Sequence, residues 1–143
     1  MPRGLRAAVM SFWAVLLLVS MLGPAARAQS SIRAPESVRS GLAILDQVVI
    51  DSGHLIAAGS YDQLPRQSDR FESGAAALEQ GLGDSPAQFR RDVERVLARA
   101  RVASGAMSDA ATAHRTALLP AAHQQLADAV RALDVLFKAQ APH

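Results

Sequence analysis

The chain has 143 residues, half of them apolar and none of them cysteine. That composition excludes thiol nucleophiles, iron–sulfur clusters, thioether-bound haem and disulfide staples. A formal net charge of +2 offers no electrostatic footprint for nucleic acid, and even this small surplus sits at one end of the chain.

Residues 1–28 read as an export signal. Arg3 and Arg6 supply a positive start, residues 7–23 (AAVMSFWAVLLLVSMLG) are continuously apolar, and Ala26-Arg27-Ala28 is a small-x-small cleavage site before Gln29. The product, residues 29–143, is expected to be soluble and periplasmic or secreted. No later segment reads as apolar enough to span a bilayer, so no membrane partner is expected after cleavage. Removing Arg3, Arg6 and Arg27 leaves 12 basic residues against 13 acidic ones, a net charge of −1. A product of 115 residues suits a single domain with one core. Its aromatics are Tyr61, Phe71, Phe89 and Phe137, so that core must be built mainly from Leu, Val and Ala.

The apolar residues of residues 29–143 recur at intervals of three and four, and no segment alternates at period two, which predicts an all-α fold. In the first helix Val38, Leu42, Leu45, Val49 and Ile56 form one stripe, with Pro35 in a first turn. Gly59, Ser60 and Asp62 mark a stop and restart, and Pro65 must lie in the first turn of the second helix. The second stripe is Leu64, Phe71, Ala75, Leu78 and Leu82, closed by Gly81 and Gly83. For the third helix the predicted start is Ser85 as N-cap, Pro86 at N1 and Gln88 at N3, a capping box. Its stripe runs Phe89, Val93, Val96, Ala100, Ala103, Met107, Ala110, His114, with Ser104-Gly105 as a place for a kink or break. Leu119-Pro120 opens a fourth helix with Leu126, Val130, Leu133 and Phe137. Four such helices with short turns predict an antiparallel up-down-up-down bundle, in which Gly41, Gly53, Ala75, Ala100 and Ala103 let backbones approach closely.

The stretch HRTALLPAAH, residues 114–123, places a histidine on each side of a proline. In an up-down bundle His54, His114 and His123 share one end, near Asp51, Tyr61 and Asp62. Imidazole and carboxylate are the ligand types that zinc, copper or iron need, so these three histidines are the candidate metal or haem ligands. At 100° per residue His114 falls on the core stripe and points inward, His123 flanks its own stripe facing His114, and His54 lies on the polar face of the first helix. Two imidazoles are too few for a closed zinc site, and the same residues serve as ordinary packed or surface histidines. No cofactor is implied. His143 at the C-terminus is expected to be disordered.

No serine sits in a nucleophile elbow, and Gly81-Leu82-Gly83 follows a helix rather than a strand, so neither an acyl-transfer site nor a phosphate loop has its context. The expectation is a protein without enzymatic activity that binds or assists a protein partner, with Ile50 and Leu55 as exposed apolar contacts. A homodimer is compatible with such a bundle, although no residue decides it.

GHLIAAGSYD, residues 53–62, and AVRALDVLFKAQ, residues 129–140, resemble the end of the first helix and the last helix of the cytochrome c-prime type four-helix bundles. The resemblance implies the bundle fold. It does not carry the chemistry, because the family's C-x-x-C-H haem attachment near the end of its fourth helix is replaced here by Leu136, Phe137, Lys138, Ala139 and Gln140. It also places the family's haem at the end of the bundle away from His114 and His123.

Overall fold

A computed structural model describes residues 36–140. Residues 1–28, read above as an export signal, Pro35 and His143 lie outside the described residues. Within them the chain forms a helical bundle with no strand. Its four helices are α1 (Glu36–Ala58), α2 (Leu64–Gly81), α3 (Ala87–Thr112) and α4 (Leu119–Gln140). A single turn of 3-10 helix precedes α2, at Tyr61–Gln63, and another precedes α4, at Thr116–Leu118.

The helix boundaries follow from local chemistry. Proline near the start of α2 and α4 costs nothing, because the first N–H groups have no partner inside the helix. At the start of α3 the expected capping box is absent. Pro86 itself, at φ −55° and ψ 143°, is the N-cap, and no side chain caps the helix. Ser85 therefore stands one residue too early, and Gln88 turns instead to Asp92 at 3.0 Å. Nor does Ser104-Gly105 break α3, which runs unbroken from Ala87 to Thr112. The Ser104 hydroxyl is buried and bonds Ser68 of α2 at 3.2 Å, so Ser104 serves a helix contact, while Gly105 has open space beside it.

The core is aliphatic, as the composition requires. Leu45, Leu64, Phe71, Leu78, Val93, Leu97, Met107, Leu119, Leu126 and Leu133 are fully buried. The predicted stripes of α2 and α3 are buried as far as Ala110. That of α4 is buried through Leu133, and the half-buried Phe137 packs edge-on against Phe89, their rings 5.2 Å apart. In α1 the contact line is turned from the predicted one. Gly41, Leu45, Val48 and Ser52 are buried, whereas Val38, Leu42, Val49 and Ile56 flank them. The turn arises because small residues, which an apolar count passes over, are the ones that meet the neighbouring helix. Leu55 likewise packs on the core rather than standing exposed.

By length and composition α1 is also long and apolar enough to cross a membrane, with a mean hydropathy of 1.3 over its most apolar stretch. This corrects the expectation that no segment after the first 28 residues reaches that threshold. Glu36, Arg39, Asp46 and Asp51, spread over the 23 residues of the helix, dilute the apolar signal along its full length.

Contacts between successive helices pin their register. Gly41 of α1 lies against Gly74 and Leu78 of α2, and Asp51 accepts from Arg70 at 2.7 Å. From α3, Arg101 reaches across α2 to Glu79 at 2.6 Å and Glu72 at 3.3 Å. These are solvent-exposed pairs, worth little each in stability, and their use is to set alignment. The last helix closes on the first through His123, whose ring lies over Gly53.

Candidate functional site

Two helix ends meet the histidines, and both end in the same way. After α1, Ser60 N–H donates to Leu55 O at 2.9 Å and Gly59 N–H to Ile56 O at 3.2 Å, with Gly59 at φ +72°. After α3, Arg115 N–H donates to Ala110 O at 2.8 Å and His114 N–H to Ala111 O at 3.3 Å, with His114 at φ +57°. Each pair is a Schellman motif, which satisfies terminal carbonyls by turning one residue into the left-handed region. His114 thus occupies the position that Gly59 holds in α1.

This overturns the inward orientation expected for His114. The wheel that placed it on the core stripe assumes that α3 continues, whereas the helix ends at Thr112 and the reversed backbone leaves His114 exposed. A side chain at positive φ is strained by about 1 kcal/mol, a strain that glycine lacks. His114→Gly is expected to raise stability by up to about 1 kcal/mol, net of the extra freedom glycine has when unfolded. A urea titration checks this, and a clear loss of stability would show that the imidazole makes contacts of its own.

His54 is exposed on α1, on the polar face where the sequence places it. His123 is half-buried, and it faces α1 rather than His114. Its Nε2 lies 2.8 Å from Val49 O, and since a carbonyl only accepts, Nε2 is the protonated, donating nitrogen. A Cβ on Gly53 would come within 3.2 Å of both Cε1 and Nε2 of this ring. Gly53 is the gap in α1 that lets the imidazole reach the backbone. Among the described residues no three His, Asp or Glu side chains converge on a point that could hold a metal ion. Asp51 is engaged by Arg70 and by Gln47 Nε2 at 2.8 Å, and these bonds hold its carboxyl below the usual carboxylate range. Tyr61 packs against the core.

Two grooves among the described residues lie between helices. One groove of about 310 Å³, between α3 and α4, is lined by Arg99, Gln125, Asp128, Ala129 and Ala132. A second, of about 320 Å³, lies between α1 and α4 over Val49, Ile50, Ala127 and Val130, with Asp46, Arg131 and Asp134 on its walls. Partial burial and the facing Asp134 carboxylate raise the pKa of Asp46, and Lys138 partly offsets them. Sequence periodicity does not reveal this pair, because Asp46 and Asp134 are 88 positions apart in the chain and no spacing rule links them.

Comparison with protein-family profiles, with characterised proteins and with solved structures returns no match.

The groove has a pH signature of its own. A carboxyl whose pKa is raised on folding binds its proton more tightly in the folded chain, so its ionisation costs stability as the pH rises through the folded value. Asp46→Asn is therefore expected to raise Tm at pH 7, and the gain should shrink to nothing as the pH falls below the ordinary carboxyl value of 3.8. Asp51 has the opposite sign. Its lowered pKa contributes stability that is present above 3.8 and is lost as the pH falls through the folded value. Thermal melts of both asparagine variants across pH 2–7, an interval set by these carboxyl values, separate the two.

Proposed function

We propose that this chain is an exported, non-catalytic four-helix bundle of up-down-up-down order, one domain over residues 29–143, that acts by binding through its exterior. What supports the helix order is the set of cross-contacts Gly41 with Gly74, Ser68 with Ser104, Phe89 with Phe137 and His123 with Gly53. In this reading the likeness to cytochrome c-prime type bundles is one of fold, and export to the periplasm or beyond rests on the signal-like residues 1–28.

The observation that carries the reading is the nature of the interior. Leucine, valine and alanine fill it, and among the described residues the buried polar ones are Ser52, Gln67 and Ser104. None of these three titrates, and none is paired with a base that would make a hydroxyl nucleophilic. Every ionisable side chain among the described residues lies at the surface or half-buried, so whatever the protein recognises meets its outside.

The test uses untagged protein from a periplasmic fraction, examined by intact mass, absorbance and elemental analysis. The expected result is a chain beginning at Gln29, colourless and without stoichiometric metal. A Soret band or one equivalent of metal, lost in His123→Ala or His114→Ala, would overturn the proposal in favour of a cofactor carrier using His54, His114 and His123.

A further inference from the structure

The outward face of α3 carries an exposed ridge with an apolar centre. Val102 is 71% exposed, the highest of the large apolar side chains among the described residues. Ala98 and Ala106, four residues to either side, are exposed on the same line. Arg95 and Arg99 lie just upstream on this face, both exposed; Arg95 is directed to Asp92 at 3.5 Å, Arg99 is in no ion pair among the described residues, and the exposed Asp109 lies on the same face two turns downstream. The α1–α4 groove has the matching character. Its floor is apolar, Ile50 is 50% exposed, and neither Asp46 nor Asp134 is in an ion pair among the described residues. Its one wall cation, Arg131, is directed to Asp128 at 3.4 Å, and Lys138 beside the groove only partly offsets the two carboxylates.

We propose that the α3 ridge of one copy seats in the α1–α4 groove of a second copy, with Val102 against Ile50 and Val130, and Arg95 and Arg99 facing Asp46 and Asp134. The order of features agrees along the two axes. Arg99 precedes Val102 by three residues, about 4.5 Å, and Asp46 precedes Ile50 by four, about 6 Å. A helix laid in a groove is a recurrent way to bury such a ridge, and it places guanidinium groups beside two like-charged carboxylates that repel each other when the groove is empty. Ridge and groove are different surfaces, so the contact is heterologous. Each bound copy still offers one free ridge or one free groove, and association continues head to tail or closes into a ring. The inference rests on the reading that the bundle works through its exterior, and it names a second copy of the chain as the occupant.

Sedimentation velocity of the protein as the cell produces it tests the contact, together with Ile50→Asp and Val102→Asp. Both positions are exposed, so helicity by circular dichroism should be unchanged. The wild type is expected to associate beyond the dimer as concentration rises, less so at high salt. Each variant should associate at least about tenfold more weakly, as expected when a central apolar anchor is lost. An equimolar mixture of the two should form a one-to-one dimer and nothing larger, because only the ridge of Ile50→Asp and the groove of Val102→Asp remain intact. A wild type that stays monomeric, variants that associate like the wild type, or a mixture that stays monomeric would each overturn the proposal. None of these outcomes bears on the proposal that the bundle is non-catalytic, which fails on turnover or a stoichiometric cofactor.

Discussion

Gly41→Ala is expected to cost about 3 kcal/mol, at the upper end of what overpacking a tight contact does. An added Cβ would sit 2.8 Å from the Gly74 carbonyl oxygen, 2.9 Å from Leu78 Cγ and 3.0 Å from Leu78 N. Two of these three atoms are backbone, so relief requires α1 and α2 to separate, and separation opens the packing around Leu45 and Leu78. For a domain of this size such a loss lowers Tm by at least roughly 10 °C. Gly74→Ala meets mostly side-chain tips, Ile44 Cγ2 at 2.9 Å and Leu45 Cδ2 at 3.0 Å, which rotate aside, and its loss should be smaller. Gly105→Ala is the control. It lies inside α3 with nothing within 4 Å of the added atom, so the helix preference for alanine should raise stability by about 0.5–1 kcal/mol. Urea titrations that place the three variants in any other order would sink the idea that α1 and α2 touch backbone to backbone at Gly41.

Ser52→Ala is expected to raise stability by about 1–2 kcal/mol. Ser52 is fully buried on the contact line of α1, and its Oγ has no hydrogen-bond partner among the described residues. A hydroxyl taken out of water without a new bond costs about 1–3 kcal/mol, and alanine removes that cost while favouring the helix. Ser104 is the internal comparison, since its hydroxyl is bonded to Ser68 and Ser104→Ala should give no such gain. Denaturation of the two variants side by side decides the matter. A loss of stability in Ser52→Ala would mean that this hydroxyl is satisfied in solution and that its place in the core is a polar contact rather than a cost.

Gly41 and Ser52 differ in how legible they are in the sequence. Gly41 is recognisable there as a small residue on a helix, but the residue opposite it is not, because Gly74 is separated from it by a whole helix and a turn. Ser52 carries no apolar signal, so a pattern built on hydrophobic spacing passes over it even though it lies on the contact line. The candidate site shows the same division. That His54 is exposed follows from the wheel, since α1 is regular there. The wheel fails for His114 because it extrapolates a helix through the point where the chain reverses. Sequence spacing has no means to pair His123 with Gly53, since the missing Cβ that admits the ring belongs to another helix.

What the sequence determined alone is the all-α character, the three inter-helix turns and the apolar stripes of α2, α3 and α4. These depend on a 3.6-residue period and on proline and glycine acting on their immediate neighbours, all within one turn of helix. The tertiary structure alone decided which line of α1 faces inward, what His123 touches, and that Asp46 and Asp134 share a groove. Each of those is a contact between residues tens of positions apart, chosen by which small side chains let two helices close, and no local propensity encodes that choice.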